Sequence, residues 1–300
     1  MSLVDTVRRF NRSYTQRIGA LEESFLGTGR PLGASRLLFE VGPGGATVRD
    51  LRERLDLDSG YLTRLLSRLA DDGLVEVLTD PADRRRRTVT LTAGGQAAYQ
   101  ELDDRSERTA RDLLEPLTER QRARLDEALR TADLLIRAAT VHLRVVDPLD
   151  RAATAALGEY YAELGRRFPG GFDPGAPEGG ADALRAPRGA FLVATSDGVP
   201  VACGGVRLLG DATGEIKRMW VHPGWRGAGL GTRLLRALED EARRLGCTRA
   251  VLDSNRVLTE ALAMYGRAGY REIEPYSLDN PYADAFFEKP LRGEGGYDRP

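Results

Sequence analysis

The sequence predicts two folded domains of different class. The first is mainly α, a helix-turn-helix followed by a two-stranded hairpin. The second is α/β (α+β), with a mixed, mostly antiparallel sheet. Three observations carry this. A length of 300 residues, 41% of them hydrophobic, exceeds one ordinary domain and supplies a core for each of two. Up to about residue 140, apolar side chains recur at helical spacing almost throughout. From His142 onward, short apolar runs bounded by Gly- and Asp-containing turns alternate with a few helices.

Val4, Val7, Phe10, Tyr14, Ile18, Leu21 and Phe25 form one stripe of a long helix, which Gly27-Thr28-Gly29-Arg30-Pro31 ends. Short helices are predicted over about Ser35–Val41 and Thr47–Leu55. Asp58 is a natural N-cap for a helix from Ser59 to about Asp71, whose inner face is Leu62, Leu65, Leu66 and Leu69. Leu74–Leu78 and Thr88–Leu91 read as the strands of a hairpin with an Arg-rich tip. Thr92 opens a long helix to about Leu114. Pro116 breaks it, and Thr118 with Gln121 has capping-box spacing for another helix to about Ala139.

The second pattern begins with a strand at His142–Val146 and a helix around Leu149–Arg167. Phe168–Arg188, rich in Gly, Pro and Ala, is a long loop with a short helix near Ala181–Leu184. Strands follow at Ala190–Thr195, Val199–Leu208 and Gly214–His222. A helix over about Gly229–Leu245, a strand at Arg249–Asp253, a helix at Thr259–Ala268 and strands near Tyr270–Glu274 and Ala285–Lys289 complete the domain. No flexible linker separates the halves, so the domains are placed at residues 1–140 and 141–292, with 293–300 expected to be a disordered tail.

Composition narrows the chemistry. Two cysteines (Cys203, Cys247) and two well-separated histidines (His142, His222) supply neither a disulfide framework nor an ordinary zinc site, so no metal is expected. The N-terminus lacks a basic-then-apolar signal, and no run approaches a membrane span; a cytoplasmic protein without membrane association is expected. Net charge is −1, so charge has to be read locally.

Two local arrangements stand out. The Ser59–Asp71 helix buries leucines and presents Ser59, Thr63, Arg64 and Arg68, a face that suits the DNA major groove, with the arginines for phosphate or guanine. The hairpin tip Asp83-Arg84-Arg85-Arg86-Arg87 suits the minor groove, Asp83 fixing the direction of one guanidinium. A solvated basic loop is the competing reading of the run alone.

In the second domain, a strand ending at His222 runs into Pro223-Gly224-Trp225-Arg226-Gly227-Ala228-Gly229-Leu230-Gly231-Thr232 and then a helix. A Gly-rich turn into a helix N-terminus is a phosphate-binding device: the backbone amides point outward and the helix dipole favours an anion. It lacks the Lys-Ser/Thr of a Walker loop and the G-x-G-x-x-G spacing of a dinucleotide site.

Residues 3–140 resemble the MarR family of winged-helix regulators. The wing motif D-x-R-x-x-x-V appears as Asp83 to Val89, followed by Leu91-Thr92, within the same order of helices and hairpin. The resemblance implies double-stranded DNA as partner, a palindromic site and a homodimer formed through the terminal helices. The Val4–Phe25 stripe is compatible with a dimer but equally with intramolecular core.

The pattern R-x-x-G-x-G at Arg226, Gly229 and Gly231 resembles the pyrophosphate loop of GNAT-family N-acetyltransferases, and the likeness extends over about 142–291. It implies acetyl-coenzyme A as acetyl donor, bound by residues 226–232. It implies backbone contacts along Met219, Trp220 and Val221, where N–H groups also suit an oxyanion, and a coenzyme contact at Asn255. It implies Tyr265 as the acid that protonates the leaving thiolate. Glu215 is the candidate base, since an amine must lose a proton to attack; an ion pair with Lys217 or Arg218 is the other reading of that residue. Cys203 reads as a small apolar strand residue and His222 as structural.

The combined expectation is a bifunctional transcription regulator and N-acetyltransferase that passes acetyl directly to a primary amine of a small molecule, an amino acid or aromatic amine. Two alternatives stand beside it. The second domain could only sense acetyl-coenzyme A, or the first could only dimerise.

Overall fold

The computed structural model describes residues 2–79, 87–173, 175, 181–196, 198–210, 212–277 and 280–291. The chain divides into two compact units, Met1–Asp126 and Glu127–Pro300. The hairpin tip Asp83–Arg86 and the tail 293–300 lie outside the described residues.

The N-terminal unit opens with α1 (Leu3–Arg17), capped by a reciprocal Ser2–Asp5 box. The apolar stripe predicts a helix reaching Phe25, but α1 ends at Arg17 because Gly19 turns into the left-handed region (φ 65°) and Phe25–Gly27 forms a separate 3-10 turn. Leu3, Val4, Val7, Phe10 and Tyr14 are exposed.

Then follow α2 (Leu32–Val41), β1 (Ala46–Thr47), α3 (Val48–Leu55) and α4 (Ser59–Asp71). Thr47 and Asp58 cap the last two helices by accepting from Asp50 and Tyr61 amides at 3.1 and 2.9 Å. Strands β2 (Val75–Thr79) and β3 (Arg87–Leu91) pair antiparallel, and β1 adds to β3 as a third strand. Leu62, Leu65, Leu66 and Leu69 of α4 are buried with Leu37, Leu38, Leu51 and Val89, so the period-3.6 stripe forms the core of this unit. Two long helices follow: α5 (Ala93–Leu114), and α6 (Glu119–Thr140), which crosses the boundary at Asp126 so that its second half, with buried Ala138, belongs to the C-terminal unit. Gly95 sits where a Cβ would lie 1.8 Å from the Leu74 carbonyl oxygen, so only glycine lets α5 pass the start of the hairpin.

The C-terminal unit is a seven-stranded mixed sheet. Its strands are β4 (Leu143–Val146), β5 (Gly189–Ser196), β6 (Val199–Gly210), β7 (Thr213–Val221), β8 (Arg249–Ser254), β9 (Arg271–Ile273) and β10 (Ala285–Pro290), in the order β4-β5-β6-β7-β8-β10-β9. Every pairing is antiparallel except β7 with β8. Helices α7 (Arg151–Arg167), α8 (Leu230–Arg244) and α9 (Thr259–Arg267) complete it.

Period-two alternation on β5 feeds two cores: Ala190, Leu192 and Ala194 pack with α8, while Phe191 and Val193 pack with α7. Leu230, Leu234, Leu235 and Leu238 of α8 are fully buried, each stabilising the fold by about 1.5–3 kcal/mol relative to exposure. Among the described residues, no helix is long and apolar enough to cross a membrane.

Two irregularities of β7 open the sheet. Cys203 pairs with Trp220 but Gly205 pairs with Lys217, so Gly204 of β6 faces both Arg218 and Met219, a bulge. Arg218 takes the left-handed conformation there, with φ 57°. Pairing with β8 ends just before it: among the described residues, β7 and β8 pair only from Thr213–Arg249 to Ile216–Leu252.

Candidate functional site

The Gly-rich segment after β7 is a rigid turn. His222 accepts from the Gly224 amide at 3.1 Å through Nδ1, which fits a structural residue, and Trp225 is buried in the core. Gly227 and Gly229 lie at φ 80° and 81°, a conformation that L side chains rarely adopt. A Cβ on either would meet nothing within 4 Å, so open space lies before both. Leu230 anchors the start of α8 in the core, and the first-turn amides have no intrahelical acceptors. At Gly231 a Cβ would come within 3.1 Å of Met264 Sδ, so this glycine serves the approach of α9. An anion cradle of bare backbone is what this arrangement offers.

Arg226 is committed inward. Its Nη2 donates to both carboxylate oxygens of Glu163 at 2.6 Å and its Nε to the Val221 carbonyl at 3.0 Å. Glu163 also accepts from Trp220 Nε1 at 2.9 Å. Burial opposes ionisation of Glu163, but the bond and charge of Arg226, with bonds from Trp220 and Arg167, outweigh it and hold the carboxyl below its ordinary value. The arginine of the motif therefore braces the turn against α7 and the end of β7.

Two cavities adjoin the break between β7 and β8. One, of about 530 Å³, is lined by Arg226, Gly227, Gly229, Gly231 and Thr232 on one side and Met264 and Tyr265 on the other, with Met219, Trp220 and Val221 between. The second, of about 340 Å³, is lined by Tyr160, Tyr161, Phe168, Phe172, Arg218, Asp253, Asn255 and Tyr282 among others. Met219, Tyr160 and Tyr265 line both, so the cavities meet there. Tyr265 is buried, its ring 6.0 Å from Tyr270 and 5.9 Å from Phe287. Burial, and then the Asp253 carboxylate, push its phenol well above the ordinary tyrosine value, so it is protonated at neutral pH and can donate.

The other expected residues fall as follows. Glu215 is buried at 1% exposure, takes a hydrogen bond from Arg207, another from the Tyr276 hydroxyl at 3.1 Å, and pairs with Lys217 at 3.2 Å. It lines neither cavity. Asn255 donates to the Tyr282 carbonyl at 2.7 Å and accepts from the Val257 amide at 2.9 Å; it lines the smaller cavity and not the larger. Cys203 is buried, and burial pushes its thiol up to about 12, which keeps it neutral. Ala228 and Leu230 belong to the turn and to the core behind it.

Sequence reasoning missed Glu163, Asp253 and Arg218 as parts of this region. Asp253 ends β8 in the smaller cavity and accepts from Asn280. Its place beside Asn255 at a strand end was the one available signal. Nothing local marks Glu163, whose partner lies 63 residues away.

In the N-terminal unit, Ser59, Thr63, Arg64 and Arg68 of α4 and Arg87 at the start of β3 are exposed. The guanidinium of Arg64 lies 5.8 Å from the Tyr61 ring centroid. Asp83, Arg84, Arg85 and Arg86 lie outside the described residues.

The acetyltransferase (GNAT) family model matches residues 157–270 and the MarR family model residues 28–86. An IAA acetyltransferase of Azospirillum brasilense is 37% identical over 103 residues, 34% of this chain and 67% of its own length. The aminoglycoside N(6')-acetyltransferase type 1 of Stenotrophomonas maltophilia is 32% identical over 141 residues, 44% of this chain and 87% of its own length. The uncharacterized HTH-type transcriptional regulator YsmB of Bacillus subtilis is 30% identical over 92 residues, 31% of this chain and 62% of its own length. The chain spans 56–67% of the length of three of the acetyltransferase relatives it matches. The sheet with its glycine-rich turn and the helix-turn-helix with its hairpin agree with these matches: the chain belongs to the GNAT acetyltransferase family through its C-terminal unit, preceded by a helix-turn-helix unit that the MarR family model matches over residues 28–86.

Proposed function

We propose that this chain is a DNA-binding regulator that also transfers acetyl from acetyl-coenzyme A to a primary amine of a small molecule. The observation that carries the enzymatic half is the meeting of the two cavities at Met219 and Tyr265, one reaching the glycine turn and the other enclosed by aromatic and charged side chains.

The larger cavity fits the donor. Its turn offers bare backbone and open space at Gly227 and Gly229, which suits a pyrophosphate. When bound, acetyl-coenzyme A supplies an acyl thioester carbonyl as electrophile. The N–H groups of Met219 and Val221 are the donors for the carbonyl oxygen as it gains charge. The amine nitrogen bonds the carbonyl carbon, the carbon–sulfur bond breaks, and the Tyr265 hydroxyl gives its proton to the departing sulfur. The proton released by the amine goes to Asp253, directly or through one water, because Asp253 lines the acceptor cavity. We assign Glu215, fixed between Arg207 and Lys217, the part of a brace beneath the site rather than a base.

The regulatory half rests on the exposed polar face of α4 above a buried leucine stripe. The GNAT family uses acetyl-coenzyme A, and the MarR family binds DNA as dimers; for this chain both are proposals. Two measurements on the full chain test them: thiol release from acetyl-coenzyme A across a panel of primary amines, and salt-dependent binding to duplex DNA from the region upstream of its own gene. Absence of thiol release with every amine, despite acetyl-coenzyme A binding, would leave only the sensor reading.

A further inference from the structure

We infer that the acceptor is a free amino acid with an aromatic or bulky apolar side chain, its carboxylate held by Arg218. This rests on the acetyl-transfer reading above and specifies its substrate.

The first observation is the state of Arg218. The bulge opposite Gly204 turns it into the left-handed region at φ 57°, a conformation unfavourable by about 1–2 kcal/mol for such a residue. Strain of this kind persists where surrounding structure fixes it, and it clusters at ligand sites. It places a half-buried guanidinium in the wall of the smaller cavity. The nearby cations are occupied: Lys217 on the same strand pairs with Glu215, and Arg207 of β6 donates to the same carboxylate. Among the described residues Arg218 has no hydrogen-bond or ion-pair partner for its guanidinium; only its backbone carbonyl is engaged, accepting from Cys203 Sγ at 3.6 Å. A planar, always-charged fork that faces a cavity without a partner is suited to a carboxylate, which it can hold by two parallel bonds.

The second observation is independent. The same cavity is walled by aromatic rings packed on one another: Tyr161 on Phe172 at 5.8 Å, Phe172 on Tyr282 at 4.8 Å, and Phe168 on Tyr282 at 5.6 Å. At about 340 Å³ the space suits one small molecule. Asp253 supplies the opposite charge on the β8 side. A cation for the carboxylate, an anion near the amine and an apolar wall together describe an amino acid rather than a plain arylamine, which would leave Arg218 unpaired.

The test uses the full chain with phenylalanine, phenylalaninamide and phenethylamine, which share the ring and differ in the carboxylate. For the wild-type protein kcat/KM for thiol release, compared per free amine, should be about 10–100-fold higher with phenylalanine than with either analogue lacking the carboxylate, the range for a lost charge-assisted pair. In Arg218→Asn that ratio should fall to about 1. Asn tolerates the left-handed conformation, so the change removes the guanidinium without adding strain, and a ratio is insensitive to loss of active fraction. Calorimetric titration of phenylalanine into coenzyme A-saturated protein gives a second readout. Arg218-dependent binding without turnover would keep this inference and sink acetyl transfer. Turnover of all three amines alike would keep acetyl transfer and sink the carboxylate site. If phenylalanine is neither turned over nor bound, the inference is overturned outright.

Discussion

Arg226 places one terminal nitrogen 2.6 Å from each carboxylate oxygen of Glu163, tying the glycine turn to a helix that lies 63 residues earlier in the chain. The arginine that marks the motif in the sequence thus holds the turn in shape, and the open face of the turn is bare backbone at Gly227 and Gly229.

Glu163→Gln should therefore loosen coenzyme binding without touching the reacting atoms. The KM for acetyl-coenzyme A should rise about 10-fold or more, with kcat nearly kept, as for a lost charge-assisted hydrogen bond. The pair also sets an acid limit. The folded carboxyl sits below its ordinary value, so its contribution to stability is full above the unfolded carboxylate value of about 4.3 and is lost as pH falls through the lower folded value. Acid titration followed by circular dichroism should show the wild-type protein, and not the Gln variant, losing this increment below about pH 4.

Tyr265→Phe keeps the ring packed on Tyr270 and Phe287 and removes only the hydroxyl. If that hydroxyl protonates the departing sulfur, kcat should drop about 10²–10⁴-fold with little change in coenzyme affinity. Near-normal turnover across pH would exclude Tyr265 as the acid.

Asp253→Asn and Glu215→Gln should behave differently from each other. With Asp253 as proton acceptor, its Asn variant should regain activity at high pH, as free amine becomes abundant. Glu215→Gln should leave the pH–rate profile where it was and lower thermal stability instead, by about 3 kcal/mol or more, because it leaves Arg207 and Lys217 short of a buried counter-charge. A pH profile moved by the Glu215 change would reinstate that residue as base.

Gly229→Val should abolish saturation by acetyl-coenzyme A. The new side chain would enter the open space before the turn and would strain a φ of 81°. The loop has room to shift, so circular dichroism should show the fold retained.

Arg64→Ala and Arg68→Ala should each weaken duplex binding and reduce the slope of log affinity against log salt by about 1 if the arginine contacts a phosphate. Fluorescence anisotropy over a salt series measures this. Unchanged affinity and slope in folded variants of both would remove α4 as the DNA-reading element.

How much of this was legible depended on whether the signal was periodic and local. The four leucines of α4, its Asp58 cap and the Thr118–Gln121 box were readable because each is a spacing within one turn or one face. The extent of α1 was not: the stripe continues past Arg17, and only the backbone at Gly19 breaks it. Strand β1, two residues long, has no period to detect. At the site, the glycine turn announced itself because its chemistry is contiguous. The bracing of Arg226 by Glu163, the carboxylate of Asp253 facing the cavity and the conformation of Arg218 depend on strands and helices meeting from distant parts of the chain, and a bulge in β7 leaves no mark in residue type.

The early end of pairing between β7 and β8 has a consequence for how this unit moves. Strands β4 to β7 and strands β8 to β10 are joined through the backbone by just four residue pairs, Thr213–Ile216 with Arg249–Leu252. Beyond that short seam the two banks part, and the site occupies the divide. A molecule lodged between them would substitute its own contacts for the missing ladder bonds, acting as a removable rung. Its grip should be felt well away from where it sits: amide exchange should slow along β10 and β9, on the far bank, each time the divide is filled.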